Sequence, residues 1–183
     1  MKKIITSAFL VLMAVSSWGQ TPEEKGLAIA IEGDKRSEGY GDSKVNLKMI
    51  LADKKGRESS RDMRVKGLEG KSGEGDKSLM IFDTPKDQKG VAMLTFTHKV
   101  KSDDQWLFLP ALKRVKKISS RNKSGPFMGS EFAFEDLSSF EVEKYTYKYL
   151  GDEVINGLNN FKVEQYPVDE NSGYTKRIVW LDK

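Results

Sequence analysis

Residues 43–68, SKVNLKMILADKKGRESSRDMRVKGL, carry the pattern that decides the fold. From Val45 onward every second side chain is apolar, an alternation that is typical of a β-strand with one buried face. The turn sequence DKKG follows at residues 53–56, and the alternation resumes with Met63 and Val65. Two alternating runs joined by a short turn predict an antiparallel hairpin.

The remaining sequence predicts one helix and further strands. Thr21-Pro22-Glu23-Glu24 has the capping-box pattern, so we expect a helix that begins there and ends before Gly39. Strands are predicted at residues 78–84, 91–100, 105–109, 144–150, 159–168 and 174–181. With the hairpin these make seven or eight strands in meander order. A flat sheet of this width would expose its edges, so we expect a closed barrel or a strongly curved sheet.

The N-terminus has the organisation of a secretory signal peptide. Lys2 and Lys3 precede an apolar run at residues 4–15, and Ser17-Trp18-Gly19 places small residues at the −3 and −1 positions of a cleavage site. The apolar run is shorter than the roughly 20 residues needed to cross a bilayer. We therefore expect residues 1–19 to be removed and residues 20–183 to form one exported, soluble domain.

Composition narrows the classes of protein further. The chain contains no cysteine, which rules out disulfides, thiolate metal sites and a lipidated N-terminal cysteine. Without Lys2 and Lys3 the chain carries 29 basic and 27 acidic side chains, so its overall charge gives no reason to expect nucleic-acid binding. His98 is the single histidine, and no nucleophile or metal-binding motif accompanies it. We expect no enzymatic activity, no metal and no cofactor.

Residues 104–137 combine a predicted strand, a basic run and an aromatic loop. Six basic and no acidic residues occur between Gln105 and Lys123, whereas five acidic and no basic residues occur between Ser124 and Glu143. The basic run is either an arm that contacts anionic lipid headgroups or a solvated turn or strand rim. The candidates for contact with a headgroup or a protein partner are Lys113, Arg114, Lys116 and Lys117.

Ten apolar side chains are candidates to line or gate a cavity, because methionine and the aromatic residues adapt to apolar partners. They are Met49, Met63, Phe82, Phe96, Trp106, Phe108, Phe127, Met128, Phe132 and Phe134. The alternative is that they fill the core of a closed sheet. Phe127, Phe132 and Phe134 lie in a loop of small and acidic residues, where they either pin the loop over the core or gate a pocket.

Several segments also resemble a known family. The strings RDMRVKGLEG at residues 61–70, DQWLFLPALKRVKKISS at residues 104–120 and GPFMGSEFAFEDL at residues 125–137 resemble the LolA-like outer-membrane lipoprotein-sorting protein family of Gram-negative bacteria. The resemblance implies an incomplete antiparallel β-barrel with a loop or helix lid over its open side. It also implies an apolar cavity for acyl chains, and further strands beyond Lys183. We expect such strands on other grounds too, because the last predicted strand has no partner after it.

These observations predict a mainly β (α+β) protein that carries lipid through the periplasm toward the outer membrane. Its expected partners are the acyl chains of lipoproteins or other lipids, together with an envelope transporter or an outer-membrane acceptor protein. Contact with the membrane is expected to be peripheral and transient. The alternative is a periplasmic adaptor that uses residues 104–137 to bind a transporter or regulator.

Overall fold

The computed structural model describes residues 19–71 and 73–183. The predicted signal peptide lies outside these residues, apart from Gly19. The described part of the chain contains one α-helix and nine β-strands. The strands form two antiparallel sheets. The mainly β class with an N-terminal helix is therefore confirmed.

Helix α1 (Pro22–Ser37) begins where the capping box predicts. The Thr21 hydroxyl accepts a hydrogen bond from the backbone N–H of Glu24 at 3.1 Å, and the Glu24 carboxylate accepts one from the Thr21 N–H at 2.8 Å. These bonds satisfy backbone donors that the start of a helix leaves without partners. Among the described residues, no helix is both long enough and apolar enough to cross a bilayer.

The first sheet contains six strands in chain order, each antiparallel to its neighbours. They are β1 (Asp42–Ala52), β2 (Glu58–Leu68), β3 (Lys77–Phe82), β4 (Ala92–Phe96), β5 (Asp104–Leu109) and β6 (Arg114–Ile118). The predicted hairpin is confirmed, because Val45 pairs with Val65 and Leu47 pairs with Met63 across β1 and β2. Apolar side chains of the two strands thus meet on one face of the sheet.

The sequence pattern does not predict strand β6, which the structure contains. Its charged residues occupy both faces, so no apolar alternation marks it. It pairs with β5 alone at the edge of the sheet, where lysines are common because they discourage further strand pairing. Lys113 adopts a left-handed backbone with a φ of 50°, which turns the chain from the 3₁₀ helix Pro110–Leu112 into β6. Three of the six basic residues, Arg114, Lys116 and Lys117, therefore lie on an edge strand.

The second sheet contains β7 (Tyr145–Ile155), β8 (Leu158–Pro167) and β9 (Arg177–Asp182). The expectation of one continuous meander is wrong, because the described strands form two sheets and neither closes into a barrel. The physical reason lies between β6 and β7, where residues 119–144 form short 3₁₀ helices and turns. No named strand there continues the hydrogen-bond ladder of β6.

Two apolar clusters form the core. The larger lies on one face of the first sheet, and its buried members are Met63, Phe82, Val91, Met93, Leu107, Ile118 and Phe127. The smaller lies between α1 and the second sheet and is built on Ala30, Tyr147 and Val163. Gly26 allows this close approach, because a Cβ atom there would lie 2.9 Å from the backbone nitrogen of Tyr149.

Candidate functional site

The strand register separates the first sheet into two faces. Residues that pair across neighbouring strands share a face, so Met80, Met93 and Leu107 lie together. We call this the covered face, because residues 119–141, here called the cover segment, supply side chains that pack against it. The opposite face, called the open face, belongs to neither buried cluster.

Phe127 fixes the cover segment to the covered face. Its side chain is completely buried, with its ring centroid 5.9 Å from that of Phe82 and 5.5 Å from that of Phe134. Met128 and Leu137 pack against the same cluster from partly buried positions. The cover segment thus completes the hydrophobic core of the first sheet.

Hydrogen bonds from the sheet hold the backbone of the cover segment in register. The Arg61 guanidinium donates to the carbonyl oxygen of Met128 at 2.7 Å. The Gln105 amide, which is buried, donates to the carbonyl oxygen of Phe134 at 2.8 Å. Buried polar groups of this kind specify one position for the segment, because each must keep its partner.

A tight turn within the cover segment decides which aromatic side chains face the core. The N–H of Phe127 donates to the carbonyl oxygen of Phe132 at 2.6 Å, and Met128 and Gly129 adopt positive φ angles of 50° and 73°. The Ser130 hydroxyl donates to the Phe127 carbonyl oxygen at 2.7 Å. As a result Phe127 points into the core, whereas Phe132 is 51% exposed.

An apolar recess of about 450 Å³ opens between β5, β6 and the start of the cover segment. Its apolar walls are Leu107, Leu109, Ile118, Pro126 and Phe134. Lys116 and Arg121 contribute basic side chains to the same recess. Its chemistry suits an apolar chain that ends in an anionic group.

The open face carries a second group of large apolar side chains. Leu94 and Trp106 pair across β4 and β5, and Phe108 pairs with Ala92 on the same face. The rings of Phe96 and Trp106 contact edge to face, with their centroids 5.3 Å apart. These side chains are partly exposed, and they lie on the opposite side of the sheet from the recess.

A small charged network borders this open face. Lys117 contacts Asp104 at 2.7 Å, and the His98 Nε2 atom lies 2.9 Å from the other carboxylate oxygen. Hydrogen bonds from Lys117 and then His98 lower the pKa of Asp104 to about 2. The single histidine therefore has a carboxylate partner on its own sheet, an arrangement that needs no substrate to explain it.

The structure divides the predicted site residues between several places. On the covered face or packed against it lie Met49, Met63, Phe82, Arg114, Lys116, Phe127, Met128 and Phe134. On the open face lie Phe96, Trp106, Phe108 and Lys117. Lys113 occupies the turn before β6, and Phe132 is exposed on the cover segment. Of the fourteen, only Phe134 and Lys116 line the recess.

The recess also contains residues that sequence reasoning misses. Leu107 and Leu109 share the covered face with Gln105, and this period-two spacing within β5 could have separated them from Trp106 and Phe108. Ile118 is the last residue of β6, and Arg121 follows the strand. Because the strand itself is not predicted, neither residue has predicted neighbours. The apolar pattern of β5 was therefore informative, whereas the pattern around β6 was not.

Polar contacts connect the second sheet to the cover segment. Lys123 contacts Asp169 at 2.7 Å, and the Glu135 carboxylate accepts hydrogen bonds from the Ser172 hydroxyl and the Gly173 N–H, each at 2.7 Å. Around this junction lies a cavity of about 150 Å³. Within residues 19–71 and 73–183, no cluster of three or more acidic or histidine side chains is arranged to hold a metal ion.

Comparisons with known proteins agree with this architecture. A family described only as an uncharacterized protein matches residues 74–183. A structure from Vibrio parahaemolyticus, described provisionally as an outer membrane lipoprotein-sorting protein domain, is 60% identical, with a TM-score of 0.85 over 88% of this chain and 68% of that one. No curated protein matches the chain.

Two more distant structures share the fold. A DUF1329 family protein from Desulfovibrio piger ATCC 29098 is 27% identical, with a TM-score of 0.83 over 89% of this chain and 69% of that one. A LolA superfamily protein from Nitrosomonas europaea is 20% identical, with a TM-score of 0.61 over 86% of this chain and 66% of that one. The chain thus spans about two thirds of the length of each of the three structures.

Proposed function

Because the chain belongs to the LolA-like family of outer-membrane lipoprotein-sorting proteins, we propose that it is a periplasmic carrier for the acyl chains of lipoproteins or other lipids. In this proposal the chain is exported, takes up lipid and moves it toward the outer membrane. The observation that carries the proposal is the apolar recess of about 450 Å³ beneath the start of the cover segment, with Lys116 and Arg121 beside it.

The physical chemistry of the recess supports lipid binding. Each methylene group of an acyl chain contributes about 0.8 kcal/mol when it leaves water. A base near a lipid headgroup adds about 1 kcal/mol, and Lys116 and Arg121 are exposed on one side of the recess. An apolar recess flanked by bases therefore favours an amphiphile with an anionic head.

Aromatic rings bound the recess on the side of the core. Phe134 forms one wall of the recess and also packs against Phe127, which fills the core behind it. We propose that movement of the cover segment withdraws these rings and extends the recess toward Met93. Phe127, Met128 and Phe134 act as the gate in this proposal, with Phe132 on its outer surface.

The experiment is to purify the protein from a bacterial host, denature it and identify any released lipid by mass spectrometry. Leu109→Glu places a charge in the wall of the recess, and we expect it to reduce bound lipid by about tenfold. Leu112→Glu is the matched control, because Leu112 is 63% exposed and should leave the lipid in place. Unfolding curves check that both variants fold. Protein that is always empty, or equal lipid in both folded variants, contradicts the proposal.

The second candidate function is a periplasmic adaptor for an envelope transporter or regulator. The observation in its favour is the exposure of the basic run, in which Lys113, Arg114 and Lys116 are all solvent-accessible. Charge reversal at Lys113, Arg114 and Lys117, none of which lines the recess, separates the two functions. An adaptor loses its protein partner after the change, whereas a carrier still copurifies with lipid in its apolar recess.

A further inference from the structure

A second cavity, of about 840 Å³, lies between the end of α1, the β2–β3 connection and the end of the cover segment. It shares no lining residue with the apolar recess. Among the described residues, six carboxylates and two lysines line it. They are Asp34, Glu38, Glu69, Glu74, Asp76 and Glu141, with Lys35 and Lys99. The cavity therefore has an excess of negative charge.

Three of these carboxylates have partners within the local fold. Glu69 accepts a hydrogen bond from the N–H of Gly41 at 2.7 Å, and Asp76 accepts one from the N–H of Gly70 at 2.9 Å. Glu74 forms an ion pair of 3.6 Å with Lys77, the first residue of β3. These three carboxylates hold the local loops through their partners, which accounts for their presence in the cavity wall.

Glu141 differs from these three. The residue is only 6% exposed and lines the cavity. In the described part of the chain, its carboxylate makes neither a hydrogen bond nor an ion pair. A buried carboxylate without a partner is unfavourable, because it loses its hydration and gains nothing in return. Once ionised, Glu141 therefore presents to the cavity a negative charge that no contacting cation among the described residues neutralises.

The charged groups around Glu141 act on it without forming a contact ion pair among the described residues. Asp34 from α1 and Asp76 before β3 add negative charge, while Lys99 after β4 and Lys144 before β7 oppose it. Lys144 already contacts Asp103 in an ion pair, and Lys99 forms no ion pair among the described residues. Burial is the largest effect, and it raises the pKa of Glu141 to about 7.

The other walls of the cavity favour an organic cation over a metal ion. No set of three or more candidate ligand side chains within residues 19–71 and 73–183 is arranged to hold a metal. Instead, Tyr40 and Phe140 line the cavity with 42% and 40% of their surfaces exposed. Aromatic faces attract ammonium groups through the ring quadrupole, and an adjacent carboxylate supplies the opposite charge.

We propose that this cavity binds an organic ammonium group, with Glu141 as its principal counter-ion and Tyr40 and Phe140 as aromatic walls. A free amine and the ethanolamine headgroup of a lipid offer the same chemistry. The proposal stands independently of lipid carriage, because the acidic cavity and the apolar recess have separate walls.

Calorimetric titration of the purified protein at pH 8 tests the proposal with three probes. These are putrescine, dihexanoyl phosphatidylethanolamine, and dihexanoyl phosphatidylglycerol as a lipid without an ammonium group. We expect saturable binding of at least one ammonium probe that Glu141→Gln weakens at least about tenfold. Putrescine binding identifies a free amine as the ligand class, whereas binding of phosphatidylethanolamine alone identifies a lipid headgroup.

Glu170→Gln is the matched control, because it also removes one carboxylate but lies at an exposed position outside the cavity. It should bind both ammonium probes as the wild type does. The proposal is overturned if neither ammonium probe binds, or if Glu141→Gln binds as tightly as the wild type. It is equally overturned if phosphatidylglycerol binds as phosphatidylethanolamine does and shows the same dependence on Glu141.

Two further measurements keep the test decisive if Glu141→Gln does not fold. Tyr40→Leu changes an exposed aromatic wall, and we expect it to weaken ammonium binding roughly threefold. In the wild type, affinity should rise from pH 6 to pH 8 as Glu141 ionises. Unchanged binding by Tyr40→Leu together with a flat pH profile would contradict the proposal.

Discussion

At the scale of single residues, two phenylalanines of the same loop have opposite environments. Phe127 is completely buried, whereas Phe132 is 51% exposed. Their residue type does not separate them, and neither does the composition of the sequence around them. The tight turn from Phe127 to Phe132 orients one ring toward the sheet and the other toward solvent.

We predict that Phe127→Ala lowers the free energy of unfolding by about 3–5 kcal/mol, because it leaves a cavity among Phe82, Phe134 and the methionines of the core. Phe132→Ala is the control from the same turn and should change stability by less than about 0.5 kcal/mol. Denaturant unfolding of both variants measures the difference. Equal destabilisation by the two changes would show that Phe127 does not anchor the cover segment.

The pH dependence of stability tests the burial of Glu141. Its pKa is raised from 4.5 to about 7 in the folded chain, so the folded state retains a proton that the unfolded chain releases. The resulting stabilisation is complete below about pH 4.5 and is lost as the pH rises through 7. We expect Glu141→Gln to remove this dependence and to be more stable than the wild type by about 2–3 kcal/mol at pH 8.

Denaturant unfolding of the wild type and Glu141→Gln between pH 5 and pH 8, without added ligand, provides the measurement. Glu170→Gln should keep the wild-type profile, because that carboxylate is exposed. Parallel stability profiles for the wild type and Glu141→Gln would show that Glu141 has an ordinary pKa.

At the scale of elements, close packing of α1 on β7 depends on one of the two glycines within the helix. A Cβ atom on Gly26 would lie 2.9–3.1 Å from backbone atoms of Lys148 and Tyr149, whereas one on Gly33 would meet nothing within 4 Å. Backbone atoms of a strand do not move aside as a flexible side chain can. Gly26 therefore sets the distance between the helix and the second sheet.

We predict opposite effects when alanine replaces these two glycines. Gly26→Ala should lower the free energy of unfolding by about 1–3 kcal/mol, because the helix must shift away from β7. Gly33→Ala should raise it by up to about 1 kcal/mol, because alanine favours the helix and has room there. Thermal and denaturant unfolding compare the variants. Stabilisation by both changes would mean that the helix does not contact β7 at Gly26.

At the scale of the whole molecule, ion pairs help to hold the second sheet to the cover segment and the first sheet. Asp169 contacts Lys123 and accepts a hydrogen bond from Ser102 at 2.9 Å. Burial opposes ionisation of Asp169, but these donors and Asn171 outweigh it and lower the pKa. The charged form of Asp169 therefore stabilises the junction at neutral pH, and this contribution falls as acid protonates the group.

We predict that Asp169→Asn lowers the free energy of unfolding by about 1–3 kcal/mol at pH 7, because Lys123 loses its charged partner. Glu170→Gln, at the neighbouring exposed position, should change it by less than about 0.5 kcal/mol. Denaturant unfolding at pH 7 measures both. If the two variants are equally stable, the junction does not depend on the Asp169 charge.

Much of this architecture could be predicted where the sequence contains a local physical signal. The capping box marked the start of α1, and the alternation of Val45 with Leu47 and of Met63 with Val65 predicted the first hairpin. Strand β6 could not be predicted in this way, because an edge strand buries little and its charges carry no period. Its absence from the prediction also removed Ile118 from the candidate site.

The sequence by itself determined the elements whose signals are local, namely the capped helix, the alternating strands and the family to which the chain belongs. Only the tertiary structure decided which side of the sheet each aromatic residue faces, the division into two sheets, and the burial of Glu141. The physical reason is that a periodic pattern reports which side chains share a face. Which segment covers that face depends on contacts between residues far apart in the chain, as between Gln105 and Phe134.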